Sequence, residues 1–187
     1  MTTTLAKFSF APRHRRALSA ALALLVLVPL MTLGNAGAAN AWSCGTAPAS
    51  SLDYWDPSGP QTISQNYSCG SHSGTDYARG ATAWRFGAVQ AGTVIAVNNT
   101  VNSCHGRYVV IAHPDGIKTA YAHLSSISVT LNQQVSKGQI IAYAGSSGIA
   151  SASCPISGVH LHLSMTTNWT GWSTSTFFDP AAFLATH

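Results

Sequence analysis

Beyond residue 41 the chain carries no long apolar pattern of helical period; its apolar residues come in short runs parted by turn residues. Thr93-Val94-Ile95-Ala96-Val97 reads as a strand ending near Asn98-Asn99, and Arg107 to His113 reads as a second. Pro114-Asp115-Gly116 is a hairpin turn signal that returns Lys118 to Leu124 onto that strand. Ile127 to Leu131 and Gln139 to Tyr143 flank a polar connection containing Lys137-Gly138, and Gly145-Ser146-Ser147-Gly148 opens a loop that reaches Cys154. Helix grammar is confined to Asp179-Pro180-Ala181-Ala182-Phe183-Leu184, with an N-cap acid, proline at the first helical position and apolar residues after it. The expected fold is therefore mainly β, an antiparallel sheet with one short C-terminal helix.

The first 41 residues stand apart. Lys7, Arg13, Arg15 and Arg16 precede an uncharged apolar run from Ala17 to Leu33, and small residues at A-x-A spacing follow in Ala36-Gly37-Ala38-Ala39-Asn40-Ala41. That layout is a secretory signal peptide rather than a spanning helix, with cleavage expected after Ala41 and Ala38 as the alternative. Residues 1–41 are read as the signal, 42–64 as an N-terminal arm and 65–187 as a single domain. Four of the nine Lys and Arg lie in the signal, whereas all five acids lie beyond it, so the remaining five cations are balanced by five anions. Without its leader the chain is neutral, and nucleic-acid binding loses its support. A secreted monomer with no membrane attachment after cleavage is expected. The absence of any Glu excludes H-E-x-x-H chemistry, where Glu is the base.

Removing 41 residues from 187 leaves 146, enough for one domain with a sizeable core. Cys44, Cys69, Cys104 and Cys154 all survive cleavage, and an even count in an exported chain favours two disulfides. None of them has the close C-x-x-C spacing of structural zinc sites. Four cysteines allow three connectivities, of which spacing favours Cys44–Cys69 with Cys104–Cys154.

Three short stretches hold candidate chemistry. In Val159-His160-Leu161-His162-Leu163 an extended backbone puts both histidines on one face and both leucines on the other, whereas a helix would make the histidines diverge. Alone, the pair fits hydrogen-bonded strand residues as well as it fits metal ligands. His72-Ser73-Gly74-Thr75-Asp76 sets an imidazole and a carboxylate four apart across a glycine, so a turn leading into a strand can bring both onto one ion. Asp76 equally fits a turn residue bonded to its own backbone. Tyr121-Ala122-His123-Leu124 alternates again, placing Tyr121 and His123 on one face, and a buried, hydrogen-bonded His123 is the plain reading. His105 and His113 have no paired partner in the pattern and read as surface or structural residues.

Taken in order, these motifs resemble those of the lysostaphin/LytM-type zinc endopeptidases, which cut bacterial cell-wall peptides. Ala91-Gly92-Thr93-Val94, His113-Pro114-Asp115-Gly116, Val135-Ser136-Lys137-Gly138-Gln139, Gly145-Ser146-Ser147-Gly148 and Asp179-Pro180 resemble that family too, so the likeness runs from about Asn66 to Leu184. It implies that His72, Asp76 and His162 hold one zinc ion (Zn2+) with a position left open. His123 and His160 then form the catalytic pair, sharing the base and oxyanion-stabilising roles, and Tyr121 is expected to touch substrate. The likeness further implies a loop-lined groove over the sheet and peptidoglycan peptides as substrate. Leu163-Ser164 stands where many members have Phe-Glu, which is similar to the β-lytic and staphylolytic branch, whose loop matching Cys104 and Cys154 is disulfide-tied. Val159 and Arg107 replace a common proline and a common asparagine. Relatives that lose the zinc set serve as non-catalytic peptidoglycan-binding or regulatory modules; that alternative predicts gaps among the five residues, and none is missing. Trp55, Tyr67, Trp84, Trp169 and Trp172 read as core or rim aromatics, with groove lining as the other use.

Overall fold

A computed structural model describes residues 43–57, 59, 61–148, 154 and 156–187, and the expected export signal lies outside them. Along the chain come β1 (Ser43–Cys44), β2 (Thr62–Gln65), β3 (Thr75–Ala78), β4 (Arg85–Gly87), β5 (Gly92–Asn98) and β6 (Tyr108–Ala112). They are followed by β7 (Lys118–Ala122), β8 (Ser126–Ile127), β9 (Gln134–Val135), β10 (Ile140–Tyr143), β11 (His160–Thr166), β12 (Thr176–Phe178) and the helix α1 (Pro180–Leu184). The larger sheet runs β1-β12-β11-β7-β6-β5-β9, with β3 also on β11 and β2 on β3; β4-β10-β8 form the smaller one. Among the described residues the only parallel pairing is β1 with β12, at the sheet's edge. The mainly antiparallel expectation holds apart from that edge.

Local chemistry explains the elements. At the β6–β7 hairpin Gly116 takes φ +88°, and the Ile117 N–H donates to Asp115 Oδ1 at 3.1 Å, an Asx-type turn. Helix α1 starts where the Asp179 side chain accepts from Ala181 N and Ala182 N, ahead of Pro180 at the first turn.

Every residue of β11 is buried. One edge of it pairs with β7, from His162 to Thr166, and the other with β3 and then β12. Partners across an antiparallel pair share a face. Leu161 opposite Tyr77 and Leu163 opposite Tyr121 thus point into the core with Met165, Phe178 and Phe183. His162 opposite Asp76 and Ala122 points the other way. Each buried leucine contributes about 1.5–3 kcal/mol, and a one-residue slip would exchange both leucines for histidines. The apolar face therefore fixes where the imidazoles point.

The N-terminal segment is fastened at several places. Cys44–Cys69 and Cys104–Cys154 are both disulfide-bonded, the pairing that spacing favours. Tyr54 is buried against His113 and Phe183, and its hydroxyl donates to Asp115 Oδ2 at 2.7 Å, beside the Ser50 hydroxyl at 2.6 Å. Burial alone would raise the Asp115 pKa, but these hydrogen bonds outweigh it and hold the carboxyl below its ordinary value. A depressed folded-state pKa means that this stabilisation is complete above the unfolded value of about 3.9 and fades as pH falls through the folded one. Asp115→Asn is expected to lower stability by roughly 1 kcal/mol at neutral pH, the side chain being largely solvated. In urea melts its gap from wild type narrows below about pH 4; a gap independent of pH would contradict this.

Candidate metal centre

The centre lies on the face of β3 and β11 that turns away from the core. The register sets Asp76 directly across from His162, and their Oδ1 and Nδ1 atoms approach to 2.8 Å. His72 arrives from the turn before β3, closed by reciprocal backbone bonds between Ser68 and His72. Between them Gly74 passes so close beneath β11 that a Cβ there would run into the Leu163 carbonyl and the Ser164 hydroxyl. Only glycine lets His72 and Asp76 flank His162.

Three atoms then converge. His72 Nε2 stands 3.1 Å from His162 Nδ1 and 3.2 Å from Asp76 Oδ1. The His72 Nδ1–H donates to the Asn66 carbonyl at 2.8 Å, which leaves the lone pair on Nε2. Ser164 Oγ lies 2.9 Å from His162 Nε2, with Ser73 Oγ at 3.3 Å; in the tautomer that donates from Nε2 to Ser164, Nδ1 carries the second lone pair. Two imidazole lone pairs and a carboxylate oxygen converging on one another fit a cation. Ligand atoms about 2.0–2.1 Å from a tetrahedral zinc stand roughly 3.3 Å apart, close to this spacing. Burial would raise the Asp76 pKa, yet in the tautomers that instead turn an N–H of His162 and His72 toward Asp76 those hydrogen bonds outweigh burial and hold it well below the carboxylate range. Burial opposes charge on His72 too, but Asp76 wins and raises it, while His162, fully enclosed, is lowered chiefly by burial. Asp76 is thus anionic, as a ligand must be.

His160 shares this face, its Nε2 3.7 Å from Asp76 Oδ2 and its Nδ1–H donating to the Gly158 carbonyl at 3.3 Å. His123 reaches the site differently. Strand alternation would send residue 123 to the core with Tyr121, but His123 adopts φ +59° just past the end of β7. Its N–H donates to the His105 carbonyl at 3.0 Å, its carbonyl accepts from Ser147 N, and its Nδ1–H donates to the Ser147 carbonyl at 3.0 Å. Those bonds hold a left-handed conformation that non-glycine residues seldom adopt. The ring ends 4.7 Å from that of His160, with Nε2 left unengaged by these bonds. Burial, above all, lowers its pKa to about 3, so the ring is neutral.

Tyr121 is a correction. Its partners Leu163 and Val109 lie on the core face, it has no exposed surface, and it stacks on Phe86 at 5.5 Å. Its hydroxyl accepts from Val89 N at 3.0 Å. A side chain so enclosed supports the sheet and does not touch substrate. The expectation carried strand alternation through His123, where the backbone in fact reverses.

His105 is the residue that sequence reasoning missed. Its ring lies face to face with Trp172 at 3.8 Å, and 6.4 and 6.3 Å from the rings of His123 and His162. It sits in a loop, where no periodicity marks it; its one signal is Cys104 beside it, tied to Cys154. His113 is structural, buried with its Nδ1–H donating to the Ala91 carbonyl at 2.9 Å. Of the aromatics, Trp84 is core, Trp55 is exposed, and the Tyr67 hydroxyl donates to the Phe177 carbonyl. Trp169 and Trp172, packed edge to face at 5.1 Å, make a wall beside His105 and His162.

Comparison with known proteins gives this face a context. The model of peptidase family M23 matches residues 70–173. Peptidoglycan DD-endopeptidase ShyA of Vibrio cholerae serotype O1 is 38% identical over 93 residues, which cover 49% of this chain and 19% of ShyA. Murein hydrolase activator NlpD of Salmonella typhimurium is 32% identical over 112 residues, 60% of this chain and 29% of NlpD. The chain thus spans under a third of the length of either relative. The catalytic domain of lysostaphin from Staphylococcus simulans superposes with a TM-score of 0.50 at 25% identity, covering 77% of this chain and 90% of that domain.

Ser164→Ala removes the nearer of the two hydroxyl partners of His162 Nε2 and leaves the three converging atoms in place. Zinc affinity is expected to fall roughly 10-fold or more in this variant, and to vanish in His162→Ala, as read by competition with a chelating dye. Equal affinity in wild type and His162→Ala would place the metal elsewhere.

Proposed function

The chain belongs to peptidase family M23, and from that premise we propose that it is a secreted zinc endopeptidase cutting the peptide part of peptidoglycan. The observation that carries this reading is the convergence of His72, Asp76 and His162 on the face that also holds His123 and His160. Two imidazoles and a carboxylate are a common ligand set of catalytic zinc. When bound, zinc acts as a Lewis acid toward a peptide carbonyl and toward water.

The chain's own residues do the rest. Asn66 and Ser164 orient the two ligand imidazoles, so their lone pairs are aimed before any ion arrives. With no Glu in the sequence, an imidazole must accept the proton from water. His123 offers Nε2, the nitrogen left over from its bond to the Ser147 carbonyl, as the acceptor. His160, its Nδ1–H pinned to Gly158, stands alongside, and the pair shares proton acceptance and support of the developing oxyanion. The name of ShyA, a peptidoglycan DD-endopeptidase, supports wall peptide as the substrate, that of lysostaphin, an antimicrobial peptidase, supports peptide cleavage, and the reading of residues 1–41 as a signal supports export. Among the described residues no helix is long and apolar enough to cross a membrane. The name of NlpD raises the activator alternative, but the completeness of all five residues favours catalysis.

His123→Ala is the test. The variant is expected to keep one zinc per chain and to lose hydrolysis of cross-linked muropeptides by roughly 10²–10⁴-fold. Loss of stoichiometric zinc would contradict the assignment of His123, and so would undiminished hydrolysis.

A further inference from the structure

The loop between β5 and β6 is braced on both sides of His105. Before it, Cys104 is disulfide-bonded to Cys154. After it, Gly106 takes φ +57° and lies so close to Ser147 that a Cβ there would run into the Ser147 carbonyl. The Gly106 carbonyl accepts from Asn98 Nδ2 at 2.7 Å, and the Arg107 N–H donates to Ser147 Oγ at 3.0 Å. The side chain is fixed as well. Its ring lies on Trp172 with the planes 4° apart, and Trp172 is backed by Trp169 edge-on and by Phe177 at 6.1 Å. Only the polar edge of the ring is left over. Among the described residues neither nitrogen of His105 has a hydrogen-bond partner, whereas every other described histidine engages at least one. His105 is half-buried, and neither nitrogen is sealed from solvent. Phenylalanine would supply the stack; imidazole adds an N–H in either tautomer.

The ring is parallel to that of His123 within 16°, their centroids 6.4 Å apart, and it stands 6.3 Å from the ring of His162. On the endopeptidase reading, a peptide whose scissile carbonyl meets His123 continues past it at roughly 3.3–3.6 Å per residue. The neighbouring backbone carbonyl then comes within reach of His105. We propose that His105 is a substrate-binding residue, its ring N–H donating to a non-scissile backbone carbonyl of the bound peptide next to the bond that is cut. A contact to backbone holds the peptide in register without reading its side chains. The stack on Trp172 fixes the rotamer in advance, so little conformational freedom is lost when substrate arrives. The same residue clamps His123, whose N–H donates to the His105 carbonyl at 3.0 Å. One braced loop thus sets the imidazole of His123 and the peptide beside it in a fixed relation.

The experiment uses zinc-loaded protein and synthetic peptidoglycan cross-link peptides. His105→Phe keeps an aromatic ring for Trp172 and removes the N–H, whereas His105→Gln keeps an N–H and gives up the stack. The Phe variant is expected to retain one zinc per chain and the wild-type melting temperature. Its KM is expected to rise roughly 10-fold with kcat little changed, the pattern of a contact made equally in ground and transition states. The Gln variant is expected to fall between the two. Replacing non-scissile carbonyls by thiocarbonyls, one at a time, weakens the acceptor; at one position KM is expected to rise in wild type and not in His105→Phe. An unchanged KM in His105→Phe overturns the inference and leaves the endopeptidase reading standing. A KM rise that comes with lost zinc or a lowered melting temperature does the same, since it marks His105 as support for the fold, and so does a thiocarbonyl effect equal in both proteins at every position. Cleavage of no cross-link peptide by the zinc-loaded wild type overturns that reading and the inference together.

Discussion

Asp76 and His162 face one another across β3 and β11, and the chemistry of the molecule hangs on that register. The leucines that alternate with the histidines anchor it: Leu161 and Leu163 are fully buried, and pairing shifted by one residue would bury imidazoles in their place. The same strand thus stabilises the fold with one face and aims the imidazoles of His160 and His162 with the other. Gly74 extends the arrangement beyond the strands, since its missing side chain lets the His72 turn pass against β11.

A second constraint lies where the sheet ends. His123 leaves β7 in a left-handed conformation, clamped by the His105 carbonyl and by Ser147. The Cys104–Cys154 disulfide ties the loop that carries His105 to the chain ahead of β11. The clamp presents a neutral imidazole beside His160, at a position whose alternation points to the core. Strain of this kind is found where surrounding structure over-determines a functional residue.

Much of this was legible in the residues themselves. The alternation around His160 and His162, the turn signal at Pro114-Asp115-Gly116 and the Asp179-Pro180 helix start each correspond to the observed element. The union of His72 with His162 was legible only through the order of the motifs, because 90 residues part them. Tyr121 and His105 were misread for one physical reason. Alternation speaks for extended backbone, and it is silent on a residue that reverses the chain or on a loop held by a disulfide. His123 does the first and His105 sits in the second, so the pattern put Tyr121 at the site and left His105 out.

The most direct measurement is metal content of the purified protein together with release of new amino termini from peptidoglycan, with a chelator and after zinc is restored. The account predicts one zinc per chain, release that stops when the metal is removed and returns with it, and products from internal bonds. Release that continues in metal-free protein would contradict the claim that His72, Asp76 and His162 hold a catalytic zinc.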